Sequence, residues 1–159
     1  MPSNQQVTIT SAEFRSYKAF LHFSLRLQPM NILVGPNNCG KSTLLGAFRL
    51  LEAGLRRARS KSPVLVPGPN GNRFGYPIPE DSLPISVENI HTNYDRAETS
   101  VLFRFSNKNR LQLYFPEERG CYLIAESQGR PIRSPTAFRN EFPLRIALVP
   151  VLGPVEHEE

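Results

Sequence analysis

The chain opens on alternating apolar and polar positions. Val7 and Ile9 alternate with threonines, which predicts a first strand ending near Glu13. From Phe20 the pattern is cleaner: Leu21, Phe23, Leu25 and Leu27 share one face, and His22, Ser24 and Arg26 the other. That period of two is the mark of a half-buried strand, and Pro29 ends it. Ile32, Leu33 and Val34 then form a continuous apolar run, so a strand over Met30 to Val34, covered on both faces, is expected.

A helical pattern follows. Leu44, Phe48, Leu51 and Leu55 fall at helical spacing and make one apolar stripe, with Arg49, Glu52, Arg56 and Arg59 opposite. Gly54 weakens or begins to end this helix, and Pro63 cannot continue it. Residues 63–84 hold six prolines and three glycines and are read as a long loop. Beyond it Val101, Phe103 and Phe105 alternate, Asn107-Lys108-Asn109 supplies turn chemistry, and Leu111, Leu113 and Phe115 alternate again, predicting a hairpin. Cys121 to Ala125 and Leu144 to Val151 read as further strands, the second interrupted by Pro150.

Between the apolar run and the helix lies Gly35-Pro36-Asn37-Asn38-Cys39-Gly40-Lys41-Ser42-Thr43, which satisfies G-x-x-x-x-G-K-[ST] without a gap. Such a loop wraps its backbone N–H groups around phosphate oxygens, and the helix that follows aims its positive end at the same place. Lys41 is expected to reach the β- and γ-phosphates, and the Ser42 hydroxyl to ligate Mg²⁺. A plain glycine turn explains the glycines but not a Lys and a Ser at those offsets. The predicted ligand is therefore a nucleoside triphosphate, ATP with Mg²⁺, bound by Gly35 to Thr43.

The chain lacks the marks of other phosphate-loop classes. Asn107-Lys108-Asn109-Arg110 has Arg110 where a GTPase base-recognition motif needs Asp, and no D-x-x-G follows the loop. A small-molecule kinase alternates strands and helices after its loop, whereas this chain turns to hairpins.

Composition adds little beyond bounds. The 159 residues suit one domain, and 40% hydrophobic with 21% charged residues is ordinary for a globular protein. Of the two cysteines, Cys39 lies in the phosphate loop, where a disulfide would compete with binding, so a reducing, cytoplasmic setting is expected. The N-terminal residues lack a signal-peptide pattern, and no apolar run is long enough to span a membrane. The formal charge of +5 keeps DNA as a weak candidate partner. Arg56-Arg57-Ala58-Arg59-Ser60-Lys61 could touch its phosphates, but cations at a helix C-terminus are more simply explained by the helix dipole. His22, His91 and His157 are too scattered for a metal site. Cys39 reads as a small residue at a variable loop position rather than a redox-sensitive thiol.

The order of a strand, Glu13-Phe14-Arg15-Ser16-Tyr17, an amphipathic strand, Asn31-Ile32-Leu33-Val34 and GPNNCGKSTLL resembles the N-terminal lobe of a known group. These are the ABC-type ATPase heads of RecF, structural-maintenance-of-chromosomes proteins and overcoming-lysogenization-defect (OLD) nucleases. The match is specific over residues 7–55 and topological beyond them. It implies an α/β fold: the N-terminal half of a P-loop NTPase, with an ABC-ATPase-like mixed sheet and phosphate-loop helix, plus an antiparallel β subdomain from Ser86 to Ala125. Residues 1–62 would carry the strands, loop and first helix, 63–84 the Pro-rich loop, and 85–159 the β-rich subdomain. By the same resemblance Arg15 would sit near the nucleotide and Asn37 near the γ-phosphate.

The resemblance also marks what is missing. Heads of this group hydrolyse ATP with a second lobe that supplies a signature serine and an apolar strand ending in Asp-Glu. Tyr122-Leu123-Ile124-Ala125-Glu126 ends in an acid, but no Asp precedes Glu126, and the bland reading is an antiparallel strand. Val151 to Glu156 is broken by Gly153 and Pro154. The expectation is half of an ATPase head from a DNA repair or anti-phage defence system, completed by a second lobe or a second copy. The alternative is a nucleotide-binding fragment or partner subunit with no turnover of its own.

Overall fold

The computed structural model describes residues 6–36, 39–82 and 98–149. Their core is one sheet packed on one long helix. The strands are β1 (Ile9–Tyr17), β2 (Phe20–Arg26), β3 (Val64–Val66), β4 (Arg73–Pro77), β5 (Thr99–Phe105), β6 (Arg110–Phe115), β7 (Tyr122–Ser127) and β8 (Arg130–Pro131). The order across the sheet is β2-β1-β5-β6-β7-β4-β3, with β8 pairing β7. The helices are α1 (Lys41–Ala58) and α2 (Pro135–Glu141), and a 3₁₀ turn spans Glu80–Ser82.

Alternation decides which face is buried. Ala12 and Phe14 on β1, Val101, Phe103 and Phe105 on β5, Leu111, Leu113 and Phe115 on β6, and Leu123 and Ala125 on β7 all face inward. Against them α1 sets Leu44, Ala47, Leu50, Leu51, Leu55 and Ala58, every one buried. The Phe48 ring meets Phe103 edge-on at a centroid distance of 5.4 Å. Gly54 does not end the helix. It lies four residues before the end, where a Cβ would come within 3.0 Å of Leu123, so its lack of a side chain lets helix and sheet approach closely.

The expected hairpin is present as β5 and β6, with Phe103 opposite Leu111, and Lys108 takes a positive φ of 67° in its turn. The first strand runs on past Glu13 to Tyr17, and the Cys121–Ala125 stretch forms most of β7. Of the expected β subdomain, residues 86–97 lie outside the described residues, and β5, β6 and β7 are antiparallel neighbours.

Several expectations need correction. Met30 to Val34 is not a strand: Ile32 and Val34 are 79% and 87% exposed. An apolar run becomes a buried strand only when neighbours satisfy its backbone and cover its faces, and the described residues offer no such neighbour. Leu144 to Val149 is likewise not a strand, and residues 150 and 151 lie outside the described residues. Every ladder among the described residues is antiparallel, so the expected mixed sheet is not seen there. The stretch read as a Pro-rich loop contains β3 and β4 as far as it is described. Pro67 and Pro69 fall in the connection and Pro77 at the end of β4, where they cost no central ladder bond. Helix α2 escaped the sequence reading, although Ser134 caps it by accepting from the Ala137 N–H at 3.1 Å and Pro135 opens it.

A polar knot fastens α2 to the sheet. The Asn109 amide donates to the Glu141 backbone carbonyl at 3.0 Å and to its carboxylate at 2.9 Å, and Ser127 Oγ donates to the same carboxylate at 2.7 Å. Asn107 also donates to the Glu141 carbonyl, at 2.9 Å. These bonds, from Asn109 first and then Ser127, hold the Glu141 carboxyl below its ordinary value of 4.5. Neither helix among the described residues is long and apolar enough to cross a membrane.

Two outcomes follow for stability. Leu50→Ala, which empties a fully buried site on α1, should cost about 2–5 kcal/mol, read as a lower denaturant midpoint with unchanged slope. Because the Glu141 carboxyl is depressed in the folded state, its stabilisation is present above the ordinary value of 4.5 and lost as pH falls through the folded value. In acid titrations of stability, Glu141→Gln should therefore lose less than the native chain does below that pH.

Candidate phosphate-binding site

The site is built at the N-terminus of α1. Gly40 is its N-cap with φ 97°, a left-handed conformation that favours glycine, and its carbonyl accepts from the Leu44 N–H at 2.9 Å. No side chain caps this end, and the first turn holds no acid. The first-turn N–H groups therefore have no intrahelical partners, and the helix dipole adds positive potential at the same point. Such a terminus suits an anion and repels nothing that is negative.

Lys41 stands on that turn and bends back over the loop. Its Nζ donates to the carbonyl oxygens of Gly35 and Pro36, the latter at 2.9 Å, and lies 3.7 Å from Cys39 Sγ. A single ammonium thus closes the loop on itself. A Cβ on Gly35 would come within 2.7 Å of Cys39 Sγ, so a side chain there would have to displace the exposed Cys39 thiol. Cys39 and Ser42 are exposed, and Thr43 is half-buried beside them.

The structure therefore brings together Gly35, Pro36, Cys39, Gly40, Lys41, Ser42 and Thr43. Asn37 and Asn38 lie outside the described residues. Arg15 is not brought to the loop. It projects from the sheet face turned away from α1, where its guanidinium donates to the Glu13 carboxylate at 2.8 and 3.0 Å. Glu13 also takes Arg104 at 3.1 Å; the Arg15 hydrogen bond, outweighing burial, holds its carboxyl below the ordinary range.

One neighbour of the loop was not legible as such. The Phe20 ring, at the start of β2, packs so closely on Gly40 that a Cβ there would meet it at 2.6 Å. Phe20 stacks on Phe23 at 4.7 Å and edges onto Phe14 at 5.2 Å, so the β1–β2 hairpin buttresses the helix start. The sequence showed only an aromatic residue at a strand end. Beside the loop a cleft of about 540 Å³ is lined by apolar side chains that include Leu25, Leu27, Leu33, Leu44, Phe48 and Ile146.

Resident metal ligation is thin. Among the described residues no group of three His, Cys, Asp or Glu side chains could hold an ion. Ser42 offers one hydroxyl at the loop, which fits Mg²⁺ only as an ion carried in largely by phosphate and water oxygens. The acid of β7, Glu126, is engaged elsewhere: it takes Arg73 at 2.9 Å and Arg110 at 2.7 Å on the outer face of the sheet.

No curated protein matches the chain. A family model described as an AAA ATPase domain matches residues 8–139, which takes in the strands of the sheet, the phosphate loop and α1. On that match the chain belongs to the AAA ATPase domain family.

Proposed function

We propose that the chain binds ATP with Mg²⁺ through Gly35 to Thr43, as the N-terminal part of an ABC-type ATPase head. The observation that carries this reading is the position of Lys41. Its ammonium sits over the carbonyls of Gly35 and Pro36 at an uncapped, acid-free helix N-terminus. Phosphate oxygens entering the loop would replace those carbonyls as acceptors, and a charge-assisted bond to phosphate is stronger than one to a neutral carbonyl. The loop N–H groups would orient the phosphates, and Ser42 would supply a hydroxyl to Mg²⁺, which bridges phosphate oxygens and offsets their charge.

Hydrolysis needs a group that orients and polarises the attacking water. The first turn of α1 holds no acid, and Glu126 is held by two arginines. In this proposal a second lobe, from a second copy or another chain, supplies that group. It would also cover the apolar cleft and the exposed Ile32 and Val34. The resemblance over residues 7–55 supports a place in DNA repair or anti-phage defence. A second reading, a nucleotide-binding subunit without turnover, is favoured by the same lack of an acid at the loop.

Calorimetry with Mg²⁺-ATP should show saturable binding that Lys41→Ala weakens by at least about tenfold, the loss of one charge-assisted contact to phosphate. A folded native chain without such binding would remove the proposal. In a phosphate-release assay the chain alone should turn over no faster than Lys41→Ala. A rate that the substitution abolishes would show that the chain needs no second lobe and would exclude the reading without turnover.

A further inference from the structure

The far end of α1 gathers positive charge from Arg59, Arg139 and Arg145. Arg59 caps the helix, and its Nη2 donates to the backbone carbonyls of Phe142, at 3.1 Å, and Leu144. Arg139, from α2, donates in turn to the Arg59 carbonyl at 2.8 Å. Arg145 follows on the segment that Arg59 holds. Three elements thus bring three guanidinium groups to one place. Among the described residues no carboxylate lies within salt-bridge distance of any of them.

Arg59 and Arg139 donate to backbone carbonyls, and Arg139 also to the Thr136 hydroxyl at 3.3 Å, neutral acceptors that satisfy donors without cancelling charge. Beside them is a cleft of about 310 Å³ lined by Glu52, Leu55, Arg56, Arg59, Arg145 and Ile146. Its one acid, Glu52, is already closed by Arg56, with contacts of 2.6 and 2.7 Å. Burial first, and then the neighbouring Arg145 and Arg139, hold the Arg59 guanidinium below its ordinary range. The fold therefore maintains like charges at close quarters around an open concavity, a cost that an anion would relieve.

We infer that this cleft is a second anion site, lined by Arg59 and Arg145 with Arg139 bonded to the Arg59 carbonyl, that takes a phosphoryl group. Planar guanidinium forks match the oxygens of a phosphoryl group in bidentate fashion, which is why arginine rather than lysine suits such a site. The site is independent of the phosphate loop. The 18 residues of α1 separate the two by about 27 Å at the usual rise per residue. The phosphoryl group could belong to a free small molecule or to a nucleic-acid backbone, and the two sources are separable by experiment.

The test uses the full chain carrying Lys41→Ala, so that failure of the ATP-binding proposal does not affect it. Inorganic pyrophosphate is titrated calorimetrically at low salt, against sodium chloride of matched ionic strength. A saturable isotherm is expected, weakened at least about tenfold by Arg145→Glu and to a smaller degree by Arg145→Gln. Arg145 is exposed, so both variants should keep the thermal transition of the parent. If Arg145→Glu fails to fold, Arg145→Gln alone decides. A short single-stranded oligonucleotide that displaces pyrophosphate at lower concentration assigns the source to nucleic acid; one that does not assigns it to a free phosphoryl compound. Heats reproduced by chloride, or binding unchanged in the Arg145 variants, would overturn the inference.

Discussion

The burial of one face of α1 against the inner face of an antiparallel sheet is the contact on which the rest depends. Leu44, Ala47, Leu50, Leu51, Leu55 and Ala58 meet Phe14, Phe103, Leu113 and Leu123 in one continuous core. That contact fixes the helix axis, and the axis fixes where its two charged ends point. At the N-terminal end, Phe20 and Gly40 lock the helix start to the β1–β2 hairpin. The residues at the helix start, Gly40 to Thr43, are thereby held beside that hairpin. At the other end Arg59 ties the helix to α2 and to the segment after it. Losing the stripe would release both ends together.

The outer face of the sheet solves a different problem. Arg104 stands directly opposite Arg110 across β5 and β6, an arrangement of like charges that is unfavourable by itself. Two glutamates relieve it. Glu13 holds Arg15 and Arg104, and Glu126 holds Arg73 and Arg110, so each acid lies between two arginines. Exposed pairs of this kind contribute little energy, but they account for side chains that the sequence offers as candidates for chemistry. Arg15 is absorbed into the first of these groups, and Glu126 into the second. A small apolar cluster joins Val66 of the edge strand β3 to Tyr114 and Ile124.

In the proposed reading, phosphate binding and water activation belong to separable parts of an ATPase. Binding would rest there on backbone N–H groups, a dipole and one lysine, all supplied by a loop and the helix it begins. Activation of water needs an acid aimed at the phosphates from another element, and no strand of this sheet provides one among the described residues. The exposed apolar side chains Leu33 and Leu45 line the cleft beside the loop.

Local patterns in the sequence determined the parts of this protein that depend on local physics. The helix from Lys41, the strands β1 and β2, the β5–β6 alternation and the turn at Lys108 follow from spacing, because period and turn chemistry act over a few residues; the half-buried apolar face expected on β2 does not, for Leu21 is 74% exposed. Tertiary structure alone decided the rest. Whether Ile32, Leu33 and Val34 become a strand depends on partners that no local pattern specifies. That prolines bound β3 and β4 rather than a loop depends on β7 being beside them. Arg15 faces away from the phosphate loop because a period of two places it opposite Phe14, and only the packing of α1 reveals which face is which. The convergence of Arg59, Arg139 and Arg145 joins residues about eighty positions apart, a distance over which sequence pattern carries no signal.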